Sequence, residues 1–533
     1  MVADSRTYVS PPTRGETLAM ALLSKFRPLA FKSSDRAHLQ ILRAYADFWK
    51  IPYCLDKDSS GSTVLTSEPK AASLVKDHPV ILSPAGRDES KKAASEFGLG
   101  VTHHEQLLHL PVTPDTTVSI KTEVHDFTSS KIEPILTTDK ITVLSRIRET
   151  AIYLLSVDIL TTYQNLLYEG LEPNPSRRFR IVSQLPLSYK LVPSFVRNRS
   201  FRSPKRLSEL TQENLGPIEC LRTLFLASLV SVSGPIPRIG FWRRGKAYAL
   251  AVTHDVETET GLRVGAPRML ETEQRLGIRS TWNIPSERYQ LDAERVMQLA
   301  KTGEVGTHDT KHDGRLVLST EENMVTRLSR CKRQLERLSE QKVRGFRAPL
   351  LQHSRTMLRS LGRAGYEFDS SCPSWEMLSP TSFRPHGVGT VFPFFAENVL
   401  EIPVTLPQDH QLIRVAGQTP PEASDLVVKV SRWIRGVGGA CVLLTHPDYE
   451  FANEQHASVY SRLLEAFRSD PTCDIMTLGE MADWWKKRSN AEIRIEGGDV
   501  TVAPLERSIP TTDLCPELVT GYGEDGFKVV NVY

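Results

Sequence analysis

From about residue 245 the chain alternates between short apolar runs and longer segments with an apolar residue every three or four positions. The runs predict strands near 247–256, 279–285, 303–307, 343–347, 366–370, 399–405, 440–446 and 473–477. The segments between them predict helices. In the clearest, 321–340, Met324, Leu328, Cys331, Leu335 and Leu338 form one stripe, and Glu321 and Glu322 stand at the positive end of the helix. Strands alternating with helices predict a parallel sheet, open or closed. Pro403 cannot donate to a ladder, so the strand around Glu401-Ile402-Pro403-Val404 is expected at an edge or near a seam.

The first half reads differently. Residues 1–34 are rich in Ser, Pro and Thr and predict a flexible tail. Asp35 then caps an expected helix with the stripe Leu39, Leu42, Tyr45, Phe48. Strand signals at Ser62–Thr66 and Pro79–Ser83, and a helix near Asp88–Phe97 ending at Gly98, suggest a small α/β module. Residues 139–169 and 206–230 are long, apolar and expected to be helical. The predicted layout is therefore a smaller N-terminal α/β and helical region over 35–240, a second domain over 241–490, and a C-terminal β appendage over 491–533. In that appendage 491–495 and 499–502 flank Gly497-Gly498 as a hairpin.

At 533 residues the chain exceeds one ordinary core, so two or three domains are expected. Its 66 basic and 63 acidic residues nearly balance, which argues against a dedicated nucleic-acid binder. Charge is nevertheless uneven. In the linker 173–206, the stretch Arg177–Arg206 carries nine Lys or Arg and no acid, with Phe179, Tyr189, Phe195 and Phe201 interleaved. A second cluster is Phe241-Trp242-Arg243-Arg244-Gly245-Lys246. Both read first as connectors packed on acidic neighbours; the functional alternative is peripheral contact of 177–206 with anionic lipid or a lipid-linked glycan carrier. Residues 1–16 lack a basic region followed by an apolar core, and no run reaches the roughly 18 apolar residues of a membrane span. The seven cysteines are scattered, without a C-x2-C pair. These features together predict reduced thiols and a cytoplasmic protein.

Five of the predicted strands stop abruptly in residues able to do acid–base or metal chemistry. They end in Thr253-His254-Asp255-Val256-Glu257, in Thr307-His308-Asp309-Thr310-Lys311-His312, in Arg347-Ala348-Pro349, at Asp369, and in Leu444-Thr445-His446. In parallel sheets, function collects at the carboxyl ends of the strands. Singly, each residue reads as a cap, a surface pair or a turn; in one order they predict one mouth. Two imidazoles four apart would share a face if they lay on a helical turn and could grip one metal ion, Zn²⁺ being the usual occupant and Co²⁺ or Ni²⁺ alternatives. Asp255 and Glu257, two apart on a strand, would point to one side. His103, His104 and His109 fall in a helix-like stretch without acids placed to complete a site, and His353 and His386 are near enough in sequence to line the mouth.

In this order and spacing the segments resemble the five motifs of the polysaccharide deacetylases, the NodB-homology or carbohydrate esterase 4 family, over about residues 245–490. The resemblance implies a distorted (β/α) barrel of seven strands. It implies a divalent ion held by His308, His312 and a carboxylate, which polarises an acyl carbonyl and lowers the pKa of water from ~15.7 toward ~7. It implies Asp255 as general base, Arg347 holding Asp255 oriented and ionised, His446 as general acid, and Asp369 hydrogen-bonded to His446. The backbone near Leu350 would help to bind the oxyanion.

The chain departs from the family at three points. Val256 replaces a second aspartate, so Glu257 is the expected ligand with Asp255 the competing one. Trp375 lies farther behind Asp369 than the family's tryptophan, and Leu350 stands where an aromatic residue is common. The expected activity is removal of an acetyl or formyl group from an amino-sugar nitrogen in a glycan precursor. Its rivals are an amidohydrolase of the same fold acting on a non-sugar amide or ureide, and a glycan-binding module that has lost catalysis.

Overall fold

The computed structural model describes residues 26–54, 62–73, 78–138, 141–173, 204–377, 379, 384–496, 499–504 and 513–531. Most of the basic linker, 174–203, lies outside the described residues, as does the stretch 1–25 of the expected tail.

The first half is built on β1 (Leu29–Lys32), β2 (Tyr53–Cys54), β3 (Val64–Thr66), β4 (Val80–Leu82), β5 (Gly100–Thr113), β6 (Thr116–Thr128), β7 (Ile132–Thr138), β8 (Ile141–Ile147) and β9 (Ile152–Leu155). Seven of these form one sheet in the order β2-β1-β3-β4-β9-β8-β7, parallel from β2 to β9 and antiparallel beyond. Three expectations fail here. Leu29–Lys32 is not tail but an inner strand, because Leu29, Ala30 and Phe31 are buried. Residues 139–169 are not one helix. The β-branched run Ile141-Thr142-Val143 forms β8, Glu149 turns the chain at a φ of 61°, β9 follows, and a helix begins only at Ile159, where Asp158 accepts from the N–H groups of Leu160 and Thr161. His103, His104 and His109 lie on β5, a fourteen-residue strand paired with β6, whose inward positions Leu108 and Leu110 alternate with period two.

The helix Arg36–Trp49 forms as its cap predicts: Asp35 accepts from the N–H of Ala37, and Lys50 ends the helix in the left-handed region. Its inward face does not stop at the module. The Phe48 ring lies 5.1 Å from Phe241 and 4.9 Å from Phe392, and the buried Arg222 guanidinium sits 3.8 Å over it. One apolar core therefore runs from this helix into the second half.

β10 (Ile236–Ile239) precedes the larger sheet, which contains β11 (Tyr248–Asp255), β12 (Thr281–Ile284), β13 (Glu304–Thr307), β14 (Gly345–Phe346), β15 (Phe368–Asp369), β16 (Phe394–Ala396), β17 (Val399–Glu401), β18 (Ala440–Thr445) and β19 (Cys473–Ile475). Its order is β16-β17-β15-β14-β13-β12-β11-β18, with β19 also on β11; every pair is parallel except β16–β17. Pro403 falls just past β17, beside the antiparallel edge. The result is a curled α/β sheet. Its ends approach through Leu406 N–H to Val442 O (3.3 Å) and the Thr405 hydroxyl, which donates to Ala440 O and accepts from Val442 N–H.

At the C-terminus, β20 (Ala491–Glu496) and β21 (Asp499–Pro504) form the expected hairpin, and β22 (Pro516–Gly523) pairs with both β23 (Gly526–Asn531) and β10. The basic cluster before β11 is neutralised locally: Arg243 pairs with Asp474 at 2.7 Å and Arg244 with Asp513 at 3.1 Å. Among the described residues, no helix is long and apolar enough to cross a membrane.

Candidate active site

β11 delivers Asp255 at its last residue, 3 % exposed. Val256 turns into the core and is fully buried, its N–H bonded to Asn283 O. Glu257 is thus past the strand, not on it, and strand alternation does not aim it. Its N–H instead donates to Asp448 Oδ2 at 2.9 Å, so the loop after β18 sets its position. That loop lies hard against the first turn after β11: a Cβ on Gly261 would meet Asp448 Oδ1 at 2.3 Å, and one on Gly265 would meet Pro447 O at 1.8 Å. Only glycine permits that approach.

The two histidines also meet by a route other than the expected helical turn. His308 to His312 is a loop, with Asp309 and His312 at φ values of 64° and 52°. Asp309 tolerates that conformation and is held by Arg327, whose Nε donates to its Oδ1 at 2.6 Å. The kink brings the rings to 4.9 Å between centroids. His308 Nδ1 lies 2.9 Å from Arg347 O; a carbonyl only accepts, so this nitrogen carries the proton and Nε2 keeps its lone pair. Burial pushes the His308 pKa down to about 4, which keeps the ring neutral.

Glu257, His308 and His312 offer one donor atom each, all within 4.8 Å of one another. His312 Nε2 lies 2.9 Å from Glu257 Oε1, yet neither it nor His308 Nε2 has a hydrogen-bond partner, although both are buried. Orphaned buried nitrogens beside a carboxylate cost free energy and fit a cation. Burial alone would raise the Glu257 pKa, but the neighbouring His312, with His446 and Arg288, holds it well below the usual carboxylate range.

Asp255 stands beside this cluster. Its Oδ2 is 3.8 Å from His308 Nε2, while Oδ1 accepts from Asn283 Nδ2 at 3.0 Å and Arg347 Nη1 at 3.4 Å. Those neighbours overcome burial and keep its pKa below the ordinary value. Arg347 is fully buried and also donates to Ser370 Oγ at 2.8 Å.

The expected contact between Asp369 and His446 does not form. His446 is held by Asp409: Nδ1 is 2.6 Å from Asp409 Oδ1, and the backbone N–H of His446 donates to Oδ2 at 2.9 Å. Burial would lower the His446 pKa, but the Asp409 charge and hydrogen bond, with Glu257 and Asp255, raise it to about 10. Asp369 faces the next strand instead. It is in direct register with Glu401 on β17, both fully buried, and accepts from Ser371 Oγ at 2.6 Å. Burial raises both pKa values, Asp369 to about 6 and Glu401 well above the carboxylate range, as expected of two acids sharing a proton beneath Arg347.

His353 and His386 lie away from the cluster, each with Nε2 2.9 Å from Gly170 O, where the helix Ile159–Leu171 docks. Trp375 is half-buried. Leu350 takes a left-handed φ of 60° at the turn after Pro349. His103 and His109 pair locally with Ser90 and Ser119. Sequence reasoning missed Asp409, Asp448 and Tyr449, the last donating to Glu257 Oε2 at 3.3 Å. One signal existed for the first: an apolar run from Val399 stops in Asp409-His410, the pattern of the other strand ends.

Comparison with known proteins bears on this arrangement. No curated protein matches the sequence. Among solved structures, a putative polysaccharide deacetylase from Mycobacterium smegmatis is 20 % identical, covering 46 % of this chain and 92 % of its own, with a TM-score of 0.40. Puue allantoinase is 14 % identical, covering 45 % and 91 %, at 0.37. A CE4-family pseudoenzyme from Bacillus anthracis is 16 % identical, covering 46 % and 69 %, at 0.31. Residues 245–368 match the polysaccharide deacetylase family model. That stretch runs from just before β11 through both histidines and Arg347 to the threshold of Asp369, so the match to the polysaccharide deacetylase family model falls on the segment that supplies most of the cluster.

Proposed function

We propose that the protein is a divalent-metal-dependent hydrolase that removes an acetyl or formyl group from the nitrogen of an amino sugar, acting in the cytoplasm on a glycan precursor. The observation that carries the reading is the convergence of Glu257, His308 and His312, with neither Nε2 atom hydrogen-bonded and His312 Nε2 facing Glu257 Oε1 at 2.9 Å. A Zn²⁺-type ion bound there would supply Lewis acidity toward the acyl oxygen and acidify water.

The chain's own groups account for the proton traffic. Asp255, ionised and tethered at Oδ1, has Oδ2 free to take a proton from the attacking water. Arg347 holds that carboxylate in place. His446, protonated and anchored through Nδ1, has Nε2 to give a proton to the departing amine. The near-complete burial of these side chains (Asp255 4 %, His308 1 %, His446 6 % exposed) favours a small acylated unit or a chain end over the interior of a polymer. It equally suits a non-sugar amide, which remains the rival substrate class.

Metal analysis and acetate or formate release, compared in two variants, test the reading. Glu257→Gln is expected to weaken metal binding, and Asp255→Asn to keep the metal and stop turnover. Full metal in Glu257→Gln with an empty Asp255→Asn site would exchange the two roles. A wild-type protein that binds neither Zn²⁺, Co²⁺ nor Ni²⁺ would leave the non-catalytic glycan-binding alternative.

A further inference from the structure

The segment after β12 carries an arginine that the chemistry above does not use. It is clamped on both sides: Ser286 N–H donates to Asp309 O at 3.0 Å, Glu287 N–H to Thr310 O at 2.7 Å, and the Tyr289 hydroxyl to Val256 O at 2.8 Å. These bonds tie residues 286–289 to the histidine loop and to the end of β11, so the position of Arg288 between them is set by the scaffold. Its side chain is 15 % exposed and lies at the rim of the cluster. Its Nη1 is buried without a hydrogen-bond partner.

The acid beside it does not meet that need. Glu257 Oε2 is 4.0 Å from Nη1, near enough for attraction and too far for a hydrogen bond. Both oxygens of Glu257 face other groups: Oε1 lies 2.9 Å from His312 Nε2, in the cluster, and Oε2 accepts from the Tyr449 hydroxyl. A buried guanidinium with an idle N–H is costly unless something brings it an acceptor and a counter-charge. Glu257 shares its charge between Arg288 and the histidine cluster, so a neutral carbonyl would add an acceptor and leave the guanidinium only partly countered. A carboxylate or phosphate answers both, in the geometry a guanidinium fork prefers.

The geometry points to Arg288 as a specificity residue that binds an anionic group, carboxylate or phosphate, on the substrate. The inference deepens the deacylase reading, on which it rests for where the substrate sits: the substrate class becomes acidic or phosphorylated N-acyl sugars.

The test is isothermal titration of the full-length protein with glucose, glucuronate and glucose 6-phosphate, which carry no amide and so report binding without turnover. At least one anionic sugar is expected to bind tenfold or more tightly than glucose, and which one it is separates carboxylate from phosphate recognition. Arg288→Gln should abolish that preference, and Arg288→Lys, which keeps the charge, should retain part of it. No preference in the wild type, whether all three sugars bind alike or none binds, overturns the proposal. So does a preference that survives Arg288→Gln. Acetate release is measured alongside from N-acetylglucosamine, its 6-phosphate and its uronate. Release without anion preference sinks only this inference, whereas Arg288-dependent anion preference without metal or release sinks only the deacylase reading.

Discussion

Two mainly parallel sheets in this chain have polar residues at their carboxyl ends, and they differ in how much of that polar capacity is left open. At the ends of β1 and β3, Ser33 and Ser67 bond to each other at 3.2 Å, His38 Nδ1 lies 3.2 Å from Ser67 Oγ, and Asp35 caps its own helix. These groups satisfy one another. At the ends of β11 and β13, two imidazole nitrogens converge on the Glu257 carboxylate and are left without a hydrogen-bond partner. Both rims follow from the same architecture. What distinguishes a site is the polar capacity left open, which the surrounding packing must hold in place.

The contrast breaks most sharply on His308. His308→Ala is expected to remove bound metal and hydrolysis together, read by metal analysis and acetate release; a variant that keeps wild-type metal would show that the open nitrogens are not ligands. His446→Ala should keep the metal and lower turnover by ~10²–10⁴-fold.

Asp409→Asn sharpens the same point through pH. It removes the charge that lifts His446 to about 10, so the alkaline limb of the kcat/KM profile should move to lower pH. Asp369→Asn, which removes no partner of His446, should leave that limb in place. The linkage has a definite sign: a raised histidine pKa contributes stability that is fully present below the ordinary value near ~6.5 and is lost as pH rises through about 10. Asp409→Asn should therefore flatten the loss of stability on the alkaline side, seen in denaturant titrations across that range.

A subtler challenge comes from His125, buried in the first half with neither ring nitrogen hydrogen-bonded, Glu123 Oε1 3.9 Å from Nδ1 and its ring 5.1 Å from that of His103. Zinc titration should nonetheless reach one ion per chain. A second equivalent that is lost in His125→Ala would make the N-terminal region a metal site too. The smallest effect is expected at Asp35, where replacement by Ala removes a helix cap worth about 1 kcal/mol in unfolding experiments and should leave metal content unchanged.

Much of the larger sheet was legible in advance. The runs ending at Asp255, Thr307, Arg347, Asp369 and His446 are strands or strand ends because short apolar stretches that stop in polar residues have few other places to go in an α/β protein. The first half was harder to read. In β5 to β8 the apolar content is high and the alternation is interrupted, so a period of two and a period near four fit almost equally well until partners are known; cross-strand pairing decided the matter.

The sequence by itself determined that five strand ends would present Asp255, the histidine pair, Arg347, Asp369 and His446, and left Asp409, Asp448 and Tyr449 unmarked. The tertiary structure alone decided how they combine. Asp369 was the acid expected at His446, but β17 puts Glu401 opposite it and β18 puts His446 next to Asp409, 37 residues earlier in the chain. Glu257 took its place because Asp448 holds its backbone and two glycines let the loops touch. Such assignments depend on contacts between residues distant in sequence, and no local pattern encodes those, because each strand end is free to choose its partner until the sheet has curled.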